Sequence, residues 1–252
     1  MKKLIAAENI VKSYGEGTQK CTVLNGVSVE VERGEFVAVM GPSGSGKTTL
    51  MYALSGMDDI DGGSVHFDGV QLNGLREKEL ADLRRQKMGF VFQQPTLLKN
   101  LNLLDNIVLP SLRDRRRDGP MLAARAGELM EKMGIGELAR RGTAQVSGGQ
   151  LQRAGICRAL MGRPDVIFGD EPTGALNSKA AGEIMDILAD VHKGGTAVVL
   201  VTHDAKVAAR AQRVLFMQDG AIVRQLRFKE NKKATPDDRL EQVSTIMREI
   251  EI

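Results

Sequence analysis

The chain of 252 residues holds only two cysteines, Cys21 and Cys157, far apart and without a CxxC spacing. That scarcity argues against a disulfide framework and a cysteine-based zinc site, and fits two reduced thiols in the cytosol. Long apolar runs are missing as well: no stretch approaches the roughly 18–20 residues that span a bilayer. The N-terminus, MKKLIAAENIVKSY, carries two early lysines, but Glu8, Asn9 and Lys12 interrupt any apolar stretch. It does not read as a signal peptide. The expectation is a soluble, intracellular chain that leaves any membrane spanning to another polypeptide. An excess of one charge is lacking too. A formal net charge of +3 does not argue for a nucleic-acid binder, and any basic patch must be local. Internal repeats and low-complexity segments are absent.

What the chain does have is an ordinary globular balance, 42% hydrophobic and 27% charged residues, on a length that suits one or two domains. Four short runs, Glu35–Met40, Val166–Gly169, Ala197–Thr202 and Val214–Met217, are apolar nearly throughout. That is the pattern of central strands in a parallel sheet covered on both faces. Helical patterns separate them, which predicts an α/β core. Val27–Val31 and Ser64–Asp68 alternate more and suit a small antiparallel β subdomain. Between about residues 95 and 163 the pattern turns helical, with Leu122, Ala126, Leu129 and Met133 on one predicted face. This segment reads as an inserted helical subdomain. After Arg227 the composition becomes polar. Thr235-Pro236 then offers an N-cap and a first-turn proline. Leu240, Val243, Met247 and Ile250 follow at helical spacing. The predicted organisation is an α/β domain over residues 1–227, then a polar linker and an amphipathic helix over residues 228–252.

Gly41-Pro42-Ser43-Gly44-Ser45-Gly46-Lys47-Thr48 fits G-x-x-x-x-G-K-[ST] completely, between a predicted strand and a helical run that opens at Thr49. Glycines let such a loop curl so that backbone N–H groups face phosphates, and the following helix adds its positive end. Lys47 is suited to reach the β- and γ-phosphates, and Thr48 to ligate Mg²⁺. Val166–Gly169 runs into Asp170-Glu171, which puts two carboxylates at the carboxyl edge of a sheet, where ligands bind. Asp170 is suited to hold Mg²⁺ through water and Glu171 to polarise the attacking water. Together these motifs define a P-loop NTPase core. Ser147-Gly148-Gly149-Gln150, before a helical run, reads as a second anion-binding helix start, or as a plain N-cap with a glycine turn.

With these motifs on the page, the chain resembles the ABC transporter ATPase family over nearly its whole length. Val146–Gln150 is similar to the family's LSGGQ signature, with valine for leucine. The resemblance implies that Tyr14 stacks on adenine, although a tyrosine there also suits simple packing. It implies that Gln93 is the loop glutamine that senses the γ-phosphate, joins Thr48 and Asp170 at the metal, and touches a membrane partner. The adjacent Gln94 leaves that registration open by one. His203, after the predicted strand Ala197–Thr202, is implied as the switch histidine on the γ-phosphate. Gly174-Ala175-Leu176-Asn177 matches the D-loop, with asparagine where aspartate is usual.

The resemblance further implies a homodimer packed head to tail, in which Ser147–Gln150 of each subunit meets the ATP of the other. It is strongest to the macrolide-export, lipoprotein-release and antimicrobial-peptide-resistance branch, through Tyr14–Gly17, Phe90–Gln94 and Asp170–Leu176. That branch implies a separate transmembrane permease, a cytoplasmic ATPase peripheral on the inner face of the cell membrane, and movement of a lipid, peptide or antibiotic. The alternatives are a non-membrane ABC ATPase of DNA repair or translation, and a weakly hydrolysing regulatory subunit. Arg113, Arg115, Arg116 and Arg117 form a basic run that reads as a solvated loop or as a contact with lipid headgroups or the partner.

Overall fold

The computed structural model describes residues 2–15, 17–113, 118–228 and 235–251. They divide into two compact units, Met1–Leu80 with Ala197–Ile252, and Ala81–Thr196.

The first unit contains two sets of strands. In the antiparallel set, β1 (Lys3–Tyr14) and β2 (Cys21–Glu32) pair with each other, and β4 (Gly62–Phe67) and β5 (Val70–Gln71) extend the sheet in the order β2-β1-β4-β5. Both predicted alternating runs lie in this sheet. β2 begins earlier than Val27, and β4 starts at Gly62 rather than Ser64. β1 was not foreseen as a strand. Its period-two pattern is broken by register shifts on either side of Ile10, and Asn9 sits at φ 48. A bulged strand resets which side chains face inward, so strict alternation is lost.

In the other set, β3 (Phe36–Met40) runs parallel to both β8 (Ala197–Val201) and β9 (Arg213–Gln218), and β10 (Ala221–Arg227) returns antiparallel to β9. Every residue of β3 and β8 is buried. This is why both read as continuous apolar runs. The helix α1 (Lys47–Ser55) follows β3 and packs against β8. The short α7 (Ala205–Ala208) packs against α8 (Pro236–Glu249). The Thr235 hydroxyl accepts from the Asp238 N–H, and Pro236 opens α8. The helix thus starts where the sequence predicted, but of its predicted apolar face only Val243 is buried. The linker residues 229–234 lie outside the described residues.

In the second unit β6 (Met88–Phe92) pairs parallel with β7 (Val166–Asp170). The helix α2 (Glu77–Lys87) leads into β6, and α6 (Ser178–Lys193) follows β7. Between the two strands α3 (Leu103–Leu112), α4 (Gly119–Lys132) and α5 (Gly148–Leu160) pack on one another. The inward face of α4 is Leu122, Ala126 and Met130, with Met133 just past its end; Leu129 is only half-buried. Counting four residues on from Ala126 rather than three reaches the residue that faces inward, as a 3.6-residue period allows. Of the basic run, Arg113 lies directly after α3, and Arg115–Arg117 lie outside the described residues.

The parallel pairings, the antiparallel sheet and the helical insertion together make the α/β fold of a P-loop NTPase. Among the described residues no helix is long and apolar enough to cross a membrane.

Candidate functional site

The predicted phosphate loop connects β3 to α1, as the motif requires. Gly46 caps α1 with φ 95, and a Cβ there would lie 2.8 Å from the Val23 carbonyl oxygen. Gly41 is tighter still: a Cβ would fall 2.2 Å from the Met217 carbonyl oxygen and 2.6 Å from Ser45 Oγ. Only glycine allows these approaches, and they shape the loop's curl. Lys47 is buried, and its Nζ donates to the carbonyl oxygens of Gly41, at 2.9 Å, and Pro42, at 2.7 Å. The ammonium is thereby held by the loop itself. Ser45 Oγ is buried without a hydrogen-bond partner. The first-turn N–H groups of α1 have no acceptor within the helix. Glycine cradle, ammonium, unpaired hydroxyl and helix start are together the chemistry that takes an anionic phosphate chain.

Val39 pairs in register with Val201 across β3 and β8. Gly41 and His203 each lie two residues beyond that pair, so both leave the same carboxyl edge. His203 is exposed there, between Thr202 and Asp204, whose carboxylate caps α7.

Tyr14 ends β1 and is 44% exposed. Its hydroxyl donates to Asp58 Oδ2 at 2.5 Å, and Lys12 Nζ stands 5.0 Å from its ring centroid. The same ammonium donates to Asp58 Oδ1 at 2.8 Å and to the Asp59 carbonyl at 2.6 Å. Burial, and then the Asp58 carboxylate, push the Tyr14 phenol above its ordinary value, while the Thr49 hydroxyl beside it pulls the other way. Burial works against charge on Asp58, but its bonds from Lys12 and Tyr14 outweigh that and hold the carboxyl below the usual range. Lys12 is raised, because the Asp58 contact more than offsets its burial. Lys12 and Asp58 were not singled out from sequence. The available signal was Lys12 two positions before Tyr14 on one strand, where side chains share a face.

In the second unit Phe92 pairs in register with Asp170. Gln93 and Glu171 therefore leave adjacent strands at one level. They also converge in space: a Cβ on Gly174 would lie 2.9 Å from Gln93 Nε2 and 3.3 Å from Glu171 Oε2. It is Gln93, rather than Gln94, that stands at this point. Glu171 adopts φ 46, a left-handed conformation that costs a residue bearing a Cβ about 1–2 kcal/mol. Such strain persists where a surrounding turn imposes it. Here the Gly174 N–H donates to the Glu171 carbonyl at 2.9 Å.

Ser147 caps α5 in a reciprocal pair: its hydroxyl accepts from the Gln150 N–H, and Gln150 Oε1 accepts from the Ser147 N–H. Gly148 and Gly149 are the first helical residues rather than a flexible turn. Accepting with its oxygen leaves the Ser147 O–H able to donate to an anion. These residues line a pocket of about 370 Å³ together with Arg153 and Asn177. Neither Gln93, Asp170 nor Glu171 lines it. Behind the helix, the buried Gln152 donates to the Phe92 carbonyl at 2.9 Å, one residue before Gln93. Sequence reading passed over Gln152.

Asn177 caps α6 by accepting from the Ala180 N–H at 2.9 Å. Asparagine and aspartate both do this well. Asn177→Asp is therefore expected to keep or slightly raise stability, since it adds a negative charge at a helix start. Asn177→Ala is expected to cost about 1 kcal/mol. Denaturant unfolding of the three proteins reads this directly. A loss in Asn177→Asp as large as in Asn177→Ala would show that more than the cap is involved.

No group of three or more His, Cys, Asp or Glu side chains able to hold a metal occurs among the described residues. Hard oxygen groups nonetheless stand in each unit, the Thr48 hydroxyl in the first and the Gln93 amide and Asp170 carboxylate in the second. Such hard oxygen donors suit a Mg²⁺ that arrives on phosphates rather than one caged by protein.

Phosphate loop, acidic strand end and capped SGG helix define a nucleotide-binding cassette. The chain belongs to the ABC transporter family, whose sequence profile matches residues 24–174. It is an ABC ATPase cassette homologous to export ATP-binding proteins. It is 40% identical over 231 residues to the macrolide export ATP-binding/permease protein MacB of Aggregatibacter actinomycetemcomitans, covering 92% of this chain and 36% of MacB. The chain thus spans about a third of that relative's length. It is likewise 40% identical over 233 residues to the bacitracin export ATP-binding protein BceA of Halalkalibacterium halodurans, covering 92% of each. Among solved structures it resembles the dimeric post-hydrolysis state of the ATP-binding cassette MJ0796 bound to ADP and Pi. The TM-score is 0.79 and the identity 35%, over 90% of this chain and all of that one.

Proposed function

We propose that the chain hydrolyses Mg²⁺-ATP as one half of a head-to-tail homodimer, and that closure of the dimer drives a separate membrane permease. The observation that carries this reading is the pair of anion-binding helix starts, one at each unit. α1 opens from the phosphate loop, and α5 opens from Ser147 beside a pocket lined by none of the acidic-strand residues. One nucleotide needs one phosphate loop; a second helix start is explained by nucleotide held on another copy.

In this reading Tyr14 stacks on adenine, and residues 41–49 wrap the phosphates, with Lys47 on the β- and γ-oxygens. Thr48, Gln93 and Asp170 offer oxygen donors to Mg²⁺, which supplies charge neutralisation of the phosphates when bound. Glu171 takes a proton from the attacking water, and His203 and Gln93 contact the γ-phosphate. Ser147–Gln150 meet the nucleotide of the partner copy.

The likeness to MacB and BceA favours export of an antibiotic or peptide, or extraction of a lipid, with the ATPase peripheral on the inner face of the cell membrane. A surface groove of about 790 Å³ in the second unit, lined by Met121, Leu122, Arg125, Glu128 and Arg163, offers the permease an apolar and basic seat. Met121 is 57% exposed there.

The test is mass in solution. With ATP and Mg²⁺ under slow turnover, light scattering is expected to show the chain doubling in mass. Ser147→Arg is expected to remain monomeric while still binding ATP. Full turnover by a strictly monomeric protein would overturn the sandwich.

A further inference from the structure

The structure points to a preorganised base platform, in which Lys12 and Asp58 act as positioning residues that hold the Tyr14 ring ready for the nucleotide base. The inference rests on the proposed stacking role of Tyr14 and adds what fixes that ring and which of its faces is used.

An exposed tyrosine at a strand end ordinarily samples several rotamers, and fixing such a side chain on binding has an entropic cost. Tyr14 is held instead at its hydroxyl and on one ring face. Its hydroxyl is bound to Asp58 Oδ2, and the Thr49 hydroxyl is its second neighbour. One ring face carries the Lys12 ammonium. That ammonium is itself fixed, because the Lys12 side chain is only 11% exposed and donates to both Asp58 and Asp59. A buried-stem lysine with two strong acceptors is a rigid wedge rather than a mobile surface cation. The base therefore stacks on the ring face opposite Lys12.

The placement of Asp58 ties this platform to the phosphate end. α1 begins at Lys47, and Gly56 caps its end with φ 62. Met57 and Asp58 then fold back, and both N–H groups donate to the Tyr52 carbonyl. The carboxylate that fixes Tyr14 thus hangs from the end of the helix whose start holds the phosphates. The neighbouring strand is stitched to the same segment: the Ser13 N–H donates to Asp61 Oδ2, and the Asp61 N–H to the Val11 carbonyl. Base and phosphate contacts are thus set in one frame by the protein's own hydrogen bonds, which lowers the cost of binding.

The experiment compares ATP with tripolyphosphate, which has the phosphates and no base. Lys12→Met and Asp58→Asn are expected to raise KM for ATP about tenfold, the loss typical of one strong polar contact. Their kcat is expected to stay within about twofold, since the contact is the same in ground and transition states. Inhibition by tripolyphosphate is expected to be unchanged, and Lys12→Arg, which keeps the cation and its donors, to restore KM. Tyr14→Phe, at an exposed position that does not threaten folding, is expected to fall between wild type and Asp58→Asn.

If Tyr14→Ala leaves KM for ATP unchanged, the stacking role itself is wrong and the platform falls with it. If Tyr14→Ala raises KM while Lys12→Met and Asp58→Asn do not, stacking stands and the positioning role is overturned. Equal loss of ATP and tripolyphosphate binding would also overturn it, by showing damage to the phosphate loop instead.

Discussion

Glu171→Gln is expected to lower ATP turnover by about two to four orders of magnitude, the range for losing a general base. ATP binding is expected to survive, and ATP-bound dimers to accumulate. The argument begins with backbone. Glu171 leaves β7 in a left-handed conformation and closes a turn onto Gly174, so its side chain is aimed by the main chain rather than by a mobile loop. Gln93 reaches the same glycine. A carboxylate beside an amide at a sheet edge can hold a water by two hydrogen bonds and accept its proton. Glutamine in place of Glu171 keeps the length, the turn and a hydrogen-bonding oxygen, but at neutral pH it cannot take the proton. Lys47→Ala makes the contrast: it removes a phosphate contact and is expected to weaken ATP binding as well as turnover. Steady-state phosphate release and light scattering in ATP read both outcomes. Turnover of Glu171→Gln within tenfold of wild type would remove Glu171 from the role of base.

The parts of this molecule visible in its sequence are those where one physical demand dominates. β3 and β8 are buried on both faces, so only apolar residues fit and the runs are unmistakable. The phosphate loop is legible because Gly41 and Gly46 stand where a Cβ collides with neighbouring carbonyl oxygens. β1 was hidden for the opposite reason. Its bulge around Asn9 and Ile10 trades alternation for curvature, and no simple period survives. Asn177 shows a different limit. In the sequence it marks only an asparagine where the resemblance leads one to expect aspartate, whereas in the fold it is a helix cap that asparagine serves as well as aspartate. Asp58 was silent because it lies 46 residues from Lys12 and the two meet only through tertiary structure.

Glu35→Ala is expected to destabilise the protein by about 3–5 kcal/mol, the largest stability effect of any single substitution considered, because it strands a buried arginine. Glu35 precedes β3 and Arg213 opens β9, strands that are paired in parallel. Their side chains are 4% and 7% exposed, and Arg213 Nη2 donates to Glu35 Oε2 at 2.8 Å and to the Glu30 carbonyl at 2.5 Å. Glu35 Oε2 also accepts from the Glu32 N–H at 3.0 Å, and Arg227 stands 3.3 Å from Oε1. Removing the carboxylate leaves the guanidinium desolvated beside a single carbonyl and frees the turn at Glu32. For a chain of this size the loss corresponds to roughly 6–20 °C in melting temperature. Glu35→Leu with Arg213→Met together should cost far less than Glu35→Ala alone, since replacing both partners by apolar groups removes the desolvation penalty with the attraction. The pair sits at the amino ends of β3 and β9, whereas the phosphate loop leaves the carboxyl end of β3. At 3.3 Å per residue, the five residues of β3 put about 17 Å between them. KM for ATP, measured on the folded fraction, is therefore expected to be unchanged in both variants. A melting temperature for Glu35→Ala within about 2 °C of wild type would show that Arg227 and the Glu30 carbonyl suffice to hold that corner of the fold.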